Sequence, residues 1–429
     1  MREFLDCPKI ANAEAMTKNS EMGLTWLAFY QNKIGIIARP LTIAFFASNR
    51  PKDETARKGR ARSGFGRNGG RALPPSDPSP GDFFTGIFGD FPPQGGSRSM
   101  NIDDLPAQST IKRIAVIGTG TIGASWAAYF LARGFEVRAW DPAPDAESTL
   151  RDFIHRAWPT LERLGSVEAG ADSNRMRFCK SPGEAVAEAD FVQESAPEDL
   201  DAKRRLYADI DASLPPSAVL ASSTSGLSMS KIQAGFDAAS RFVVGHPFNP
   251  PHLIPLVEVV GGEKTAPAAV DWTLDFYNAH GKKAIRLNHE SPGHLVNRLQ
   301  AALWREAMDA VLTGLAGVED VDIAIKYGPG LRFGIMGPFE LCHLAGGAPS
   351  GTGAGGFSGF IDHFGDGLQS WMDDLREVRL DPDVRSRLKT LVEESVGRRD
   401  FKDIAGERDA LLMATMIAAR TRREEGFER

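Results

Sequence analysis

A histidine and a glutamate in one short stretch are the residues best suited to acid–base chemistry. The stretch "VVGHPFNPPHLIPLVEVV" places His246 and Asn249 between two apolar runs rich in β-branched residues, and Glu258 lies inside the second run. A glutamate in an aliphatic strand is costly to bury unless it is paired. A carboxylate bonded to one ring nitrogen fixes the tautomer of a histidine, so that the other nitrogen can exchange a proton. We therefore expect two neighbouring strands joined by a proline-rich turn, with His246 as a general base and Glu258 behind it.

Other polar side chains follow apolar runs that are typical of strands. Ser225 ends the polar group "SSTS", and Glu194 and Glu198 follow an earlier run. Chemistry in largely parallel sheets gathers outside the carboxyl ends of the strands, which makes these residues candidates for the same site. The alternatives are structural: "SSTS" is also compatible with a polar loop or a helix cap, and Glu194 with a cap of the next helix.

A glycine-rich turn predicts a dinucleotide site. Gly118, Gly120 and Gly123 form G-x-G-x-x-G around Thr121 and Ile122, directly after the apolar run "IAVI". The glycines serve a tight turn, close approach of the backbone to a pyrophosphate and close packing of helix on strand. Asp141 follows Gly120 at the end of a second strand, where it can accept both ribose hydroxyls and repel a 2'-phosphate. The pattern predicts NAD rather than NADP, against the alternative of a structural glycine turn.

The elements that position these residues alternate between strands and helices. Further apolar runs follow at the spacing of a doubly wound sheet with right-handed crossovers, which predicts a Rossmann-type α/β domain over residues 110–290. After Ser291, interpreted as an N-cap with Pro292 at the first helical position, the pattern is helical. We expect an all-helical domain over residues 291–429, which contains Asn297 on its first helix.

The first hundred residues differ in composition. Residues 50–100 are dominated by Gly, Pro, Arg and Ser, which bury too little apolar surface to offset the entropy of ordering. Residues 1–109 are therefore expected to form a disordered extension, and we hypothesise that Met100 is the true start. The apolar stretch before residue 50 is too interrupted for a membrane span and resembles no secretory signal.

Composition excludes several other classes of protein. Over 429 residues the net charge is −6 with both signs interspersed, which argues against a nucleic-acid surface. The three cysteines are scattered and form no C-x-x-C pair, so we expect neither a disulfide framework nor a metal site. A reducing cytoplasm is the expected location.

Several motifs in order resemble the 3-hydroxyacyl-CoA dehydrogenase superfamily from Ile111 to about Asp374. They are "ASSTSGL", "GHPFNPPHLIPLVEVV" and "GHLVNRL". The resemblance implies an NAD-binding domain joined to a helical dimerising domain, and hence a homodimer. It also implies the following roles: Ser225 contacts the substrate hydroxyl, His246 is the base, Glu258 orients it, Asn297 positions the reacting group, and Glu198 and Lys203 lie on the cofactor side. One residue departs from the pattern, because relatives usually carry an aromatic or aliphatic residue at His294.

The substrate expected from this resemblance is a small 3-hydroxy acid. "ALWREA", "IKYGPGLRF", "MGPFE" and "LAGG" are most similar to the L-carnitine dehydrogenase branch, while "GHPFNPP" is also similar to L-gulonate 3-dehydrogenase. A trimethylammonium group favours aromatic faces, and a carboxylate favours basic or amide donors. The candidate substrate contacts are Asn249, Trp304, Tyr327, Arg332 and Phe333. The alternatives are an acyl-CoA thioester or sugar acid as substrate, and an NAD-binding structural protein without turnover.

Overall fold

The computed structural model describes residues 105–349 and 355–424. Its strands are β1 (Arg113–Ile117), β2 (Glu136–Trp140), β3 (Met176–Phe178), β4 (Phe191–Glu194), β5 (Val219–Ser222), β6 (Phe242–Pro247), β7 (Leu256–Gly261) and β8 (Lys283–Arg286). The helices of the first half are α1 (Thr121–Ala132), α2 (Ala146–Arg163), α3 (Pro182–Val186), α4 (Leu200–Asp211), α5 (Met229–Ile232) and α6 (Pro267–Ala279). Those of the second half are α7 (Val296–Thr313), α8 (Val318–Tyr327), α9 (Pro329–Phe333), α10 (Pro338–Ala345), α11 (Gly356–Asp374), α12 (Pro382–Ser395) and α13 (Phe401–Glu424).

The eight strands form one sheet in the order β3-β2-β1-β4-β5-β6-β7-β8. Strands β1 to β6 pair in parallel, as the apolar runs and intervening helices predicted. Apolar side chains cover both faces: Trp126 and Phe276 pack on one, Tyr207 and Ile210 on the other. The predicted Rossmann-type arrangement is confirmed, and the carboxyl ends of β1, β4, β5 and β6 meet along one edge.

Strand β7 reverses direction, which brings the two candidate acid–base residues together. It pairs antiparallel with β6, and the register places His246 opposite Glu258. The two runs of the opening stretch are therefore neighbouring strands, as predicted. Side chains of directly paired residues project to the same face of the sheet, so the glutamate reaches the imidazole.

The first helix of the second half begins later than predicted. It starts at Val296 rather than Pro292, with Leu295 at the N-cap position. Gly293 and His294 precede it with φ of +75° and +53°. Left-handed backbone cannot continue a right-handed helix, and this accounts for the four-residue delay.

Ordered structure precedes the predicted start of the sheet domain. The side chain of Leu105 is buried, and the Trp272 indole donates a hydrogen bond of 2.7 Å to the carbonyl of Pro106. Residues 105–109, which the composition placed in the extension, thus pack against α6. The remainder of the predicted disordered extension, residues 1–104, lies outside the described residues, as does Met100. Within the described ranges no helix is both long and apolar enough to cross a bilayer.

His280 gives a testable pH dependence of stability. Its ring packs on Phe135 and Phe276, and Nε2 is buried with no partner among the described residues. Burial, and secondarily the charge of Arg133, lower its pKa from 6.5 to about 4. The unfolded chain therefore binds the extra proton first as the pH falls, so stability is lost between about pH 6.5 and pH 4.

We expect acidification to lower the free energy of unfolding of His280→Phe by roughly 1–3 kcal/mol less than that of the wild type, after allowance for partial exposure of the ring. Urea unfolding of both proteins at pH 7.5 and pH 4.5 measures it. An equal loss of stability in the variant and the wild type would contradict the assignment.

Candidate active site

The centre of the site is a buried histidine–glutamate pair. The Nδ1 atom of His246 lies 2.8 Å from Oε2 of Glu258, and the two residues are 5% and 0% exposed. An ionised carboxylate only accepts hydrogen bonds, so Nδ1 carries the proton. This fixes the tautomer and leaves Nε2 as the atom that can take a proton from a bound hydroxyl.

The second carboxylate oxygen of Glu258 joins the sheet to the helical half. Oε1 accepts hydrogen bonds of 2.9 and 3.0 Å from the backbone N–H groups of Leu295 and Val296, at the start of α7. Burial alone raises the pKa of Glu258, but the bonds from His246 and these two N–H groups outweigh it and hold the pKa below its ordinary value. Glu258 is therefore ionised and both of its oxygens are engaged.

A cavity of about 220 Å³ opens beside His246. It is lined by Ile122, Ser223, Ser225, His246, Pro247, Phe248, Asn249, Asn297 and Gln300. The structure thus gathers four of the predicted substrate-side residues, Ser225, His246, Asn249 and Asn297, around one space. Asn249 also borders a neighbouring cavity of about 550 Å³, together with Thr121 of α1 and residues of α13.

The loop that carries Ser225 is held by Glu198 and Asn297. Oε1 of Glu198 accepts bonds from Thr224 Oγ1 at 2.7 Å, from Ser225 N at 2.9 Å and from Gly226 N at 3.0 Å. The Asn297 amide donates a bond of 3.2 Å to the carbonyl of Ser225. Glu198, predicted on the cofactor side, therefore contacts the serine loop, and Asn297 connects that loop to α7.

Lys203 is buried, where it anchors the end of β4. Its ammonium group lies 2.6 Å from Oε1 of Glu194 and 3.0 Å from the carbonyl of Ala196, and it is 1% exposed. Tyr207 and Ser222 donate to the other oxygen of Glu194. The pair compensates two charges that would be costly alone, and leaves Lys203 without a surface that faces a ligand.

The glycine turn presents a cradle for a dinucleotide. Gly118 has φ of +85°, and a Cβ there would approach the backbone of Ser195 to 2.8 Å. A Cβ on Gly123 would lie 1.8 Å from the carbonyl oxygen of Gly118, whereas nothing stands within 4 Å of one on Gly120. The carboxylate of Asp141 closes the turn by accepting a bond of 2.7 Å from Thr119 N. Open backbone at the N-terminus of α1, flanked by an aspartate, matches the requirements of NAD.

Two family models match this chain. The model described as "3-hydroxyacyl-CoA dehydrogenase, NAD binding domain" matches residues 113–290, and that of the C-terminal domain matches residues 293–400. This chain belongs to the 3-hydroxyacyl-CoA dehydrogenase family. It is therefore an NAD-dependent oxidoreductase.

The relatives include several L-carnitine dehydrogenases. That of Streptomyces coelicolor is 50% identical over 305 residues, which cover 71% of this chain and 94% of that protein. That of Pseudomonas aeruginosa is 42% identical over 318 residues, 74% of this chain and 97% of that protein. Among solved structures, a 5-formyl-3-hydroxy-2-methylpyridine 4-carboxylic acid 5-dehydrogenase, an NAD+ dependent dismutase, has a TM-score of 0.62 at 31% identity. The match covers 74% of this chain and 99% of that chain.

The four side chains predicted to surround the substrate's charged groups do not line the cavity beside His246. Trp304, Tyr327 and Phe333 are 51%, 71% and 53% exposed, and Arg332 is exposed on α9. In this chain all four side chains lie on the surface of the helical half.

Three residues that line the cavity were not among the candidates: Pro247, Phe248 and Gln300. Gln300 lies one turn after Asn297 on α7 and shares its face. This spacing can be read from the sequence and could have identified Gln300. Phe248 sits within the opening stretch, two residues after His246. Ser223, by contrast, lies in the candidate group "SSTS", and it accepts a bond of 2.9 Å from the buried amide of Gln193.

Asp141 should determine cofactor choice. We expect Asp141→Asn to lower the ratio of kcat/KM for NAD over NADP by about 10–100-fold, because it removes charge-assisted bonds to the ribose and the repulsion of a 2'-phosphate. Steady-state rates with each cofactor measure the ratio, and Asp145→Asn, on an exposed carboxylate nearby, is the matched control. An unchanged ratio would refute the role of Asp141.

Proposed function

We propose that the protein oxidises L-carnitine at its 3-hydroxyl group to 3-dehydrocarnitine with NAD. The observation that carries the proposal is the 50% identity with an L-carnitine dehydrogenase over 94% of that protein. The buried His246–Glu258 pair at the edge of the cavity supports it, because the reaction needs a base within reach of a secondary hydroxyl.

The chain's own residues divide the work of the reaction. The glycine turn and Asp141 would hold NAD, which would supply the hydride acceptor for the carbon that bears the hydroxyl. His246 takes the hydroxyl proton on Nε2, and the ionised carboxylate of Glu258 stabilises the imidazolium that forms. Ser225 and Asn297 line the same cavity and orient the hydroxyl toward the imidazole. In the reverse reaction His246 returns the proton to the carbonyl oxygen.

The size of the cavity favours a small substrate. About 220 Å³ beside His246 accommodates a short hydroxy acid. Purified protein should be assayed for NADH formation at alkaline pH with L-carnitine, L-gulonate and 3-hydroxybutyryl-CoA side by side. We expect turnover with L-carnitine, and turnover of the CoA ester alone would overturn the proposal.

We also infer a homodimer formed through the helical half. Large apolar side chains are exposed along its helices, among them Leu299, Tyr327, Phe339 and Trp371. Many exposed large apolar side chains are typical of a protein interface, and two-fold dimers are the commonest assembly. Light scattering should give twice the 46.5 kDa mass of the full chain. A mass of one chain at micromolar concentration would contradict the inference.

A further inference from the structure

A second histidine packs directly against the candidate base. His294 lies between Gly293 and α7, and among the described residues it is the only non-glycine residue with positive φ, at +53°. Left-handed backbone is strained for a residue with a side chain, and such strain persists only where the surroundings hold it in place. The position therefore has contacts strong enough to impose that conformation.

Those contacts are made with the candidate base and with the loop that carries Ser225. The His294 ring centre lies 5.0 Å from that of His246, and Nε2 donates a bond of 2.9 Å to the carbonyl of Thr224, one residue before Ser225. His294 is 3% exposed and does not border the cavity. It thus acts on the substrate only through its neighbours.

The ring is neutral. Nε2 carries the proton because it faces a carbonyl oxygen, and Nδ1 is buried without a partner among the described residues. The titratable groups that face the ring are His246 on β6, Glu258 on β7 and Glu198 before α4. Burial is the largest influence and lowers the pKa of His294, so it stays uncharged beside His246 during oxidation at alkaline pH.

We propose that His294 is a positioning residue. It connects the loop that carries Ser225 to the imidazole of His246, so that the side chains of Ser225 and His246 both reach the same hydroxyl group of the substrate. Glu258 fixes His246 to the start of α7, and Asn297 fixes Ser225 to the same helix. His294 contacts both parts directly and sets the distance between them. The proposal rests on the function proposed above.

Three substitutions separate the features of this side chain. His294→Phe keeps a ring against His246 but removes the donor to Thr224. His294→Asn tolerates the left-handed backbone but is too short to reach that carbonyl. His294→Gln places an amide N–H where Nε2 lies in the wild type, so it retains the bond.

Each variant is assayed with the hydroxy acid that the wild type oxidises fastest. We expect Phe and Asn to lower kcat about 5–20-fold, with KM for NAD little changed, since small misplacements of reacting groups slow chemistry. Gln should recover kcat to within about 3-fold of the wild type. Wild-type rates in His294→Phe, or equal impairment of Gln and Phe, would overturn the proposal.

A readout that does not need turnover keeps this test separate from the proposed function. Nitrogen-15 spectra of the imidazoles should show altered His246 signals in His294→Phe and nearly native ones in His294→Gln. Unaltered His246 signals in the Phe variant would overturn the positioning role. A wild type that oxidises none of the three hydroxy acids would instead overturn the proposed function.

Discussion

Replacing His246 by alanine should lower kcat for hydroxy acid oxidation by about 10²–10⁴-fold, the usual contribution of a positioned general base. The imidazole is the group in the cavity whose free nitrogen is oriented by a buried carboxylate partner. Binding of NADH should be retained, because the glycine turn follows β1 and Asp141 follows β2, whereas His246 lies on β6. Steady-state rates and fluorescence titration with NADH measure the two quantities.

His289→Ala is the matched control for this experiment, since His289 is exposed and borders neither cavity. It should behave as the wild type. If His246→Ala turned over within a few-fold of that control, another group would have to be the base.

Exchanging Glu258 for glutamine should slow the reaction by roughly 10²–10³-fold and also destabilise the protein. The wild-type carboxylate accepts three N–H bonds, from His246, Leu295 and Val296. An amide can keep its oxygen on the two backbone N–H groups only by turning its N–H₂ toward His246, which then carries its proton on Nε2 and cannot accept one from the hydroxyl. The loss of the charge-assisted bonds costs about 1–3 kcal/mol. Measurements of kcat and of urea unfolding test both effects.

Glu263→Gln is the control, because Glu263 is exposed and follows the end of β7, and it should change neither quantity. The pH dependence gives a further check. Because the folded-state pKa of Glu258 is lowered, its stabilising contribution is present above the ordinary value of 4.5 and is lost as the pH falls through the folded-state pKa. Glu258→Gln should lack that part of the acid destabilisation; a variant as stable as Glu263→Gln would contradict the role of the carboxylate.

The features that followed from local pattern and chemical cost were predictable from the sequence. A glutamate inside an apolar strand requires a partner, and the strand pairing of His246 with Glu258 supplies it. The glycine spacing before α1 and the aspartate after β2 require a specific turn and a specific distance along the chain. Each of these predictions depended only on what one type of residue requires of the groups next to it.

Features that depend on how distant segments meet were not predictable. Trp304 and Tyr327 lie on α7 and α8, but nothing local states which face of these helices meets the cavity, and both side chains are exposed. The sequence around a lysine does not distinguish one that faces a ligand from one that faces a buried carboxylate. Lys203 pairs with the buried carboxylate of Glu194. The late start of α7 depends on the left-handed backbone at His294, whose ring bonds the carbonyl of the distant Thr224, while the N–H of Leu295 bonds Glu258.

The most direct test of the account is a single-turnover experiment with excess enzyme, NAD and L-carnitine deuterated at carbon 3. The wild type should transfer the deuterium to the cofactor, and the NADH formed should be one mass unit heavier. His246→Ala should bind NAD equally well yet transfer the deuterium at least about 100-fold more slowly. Transfer at the wild-type rate in that variant would contradict the claim that the imidazole backed by Glu258 is the base.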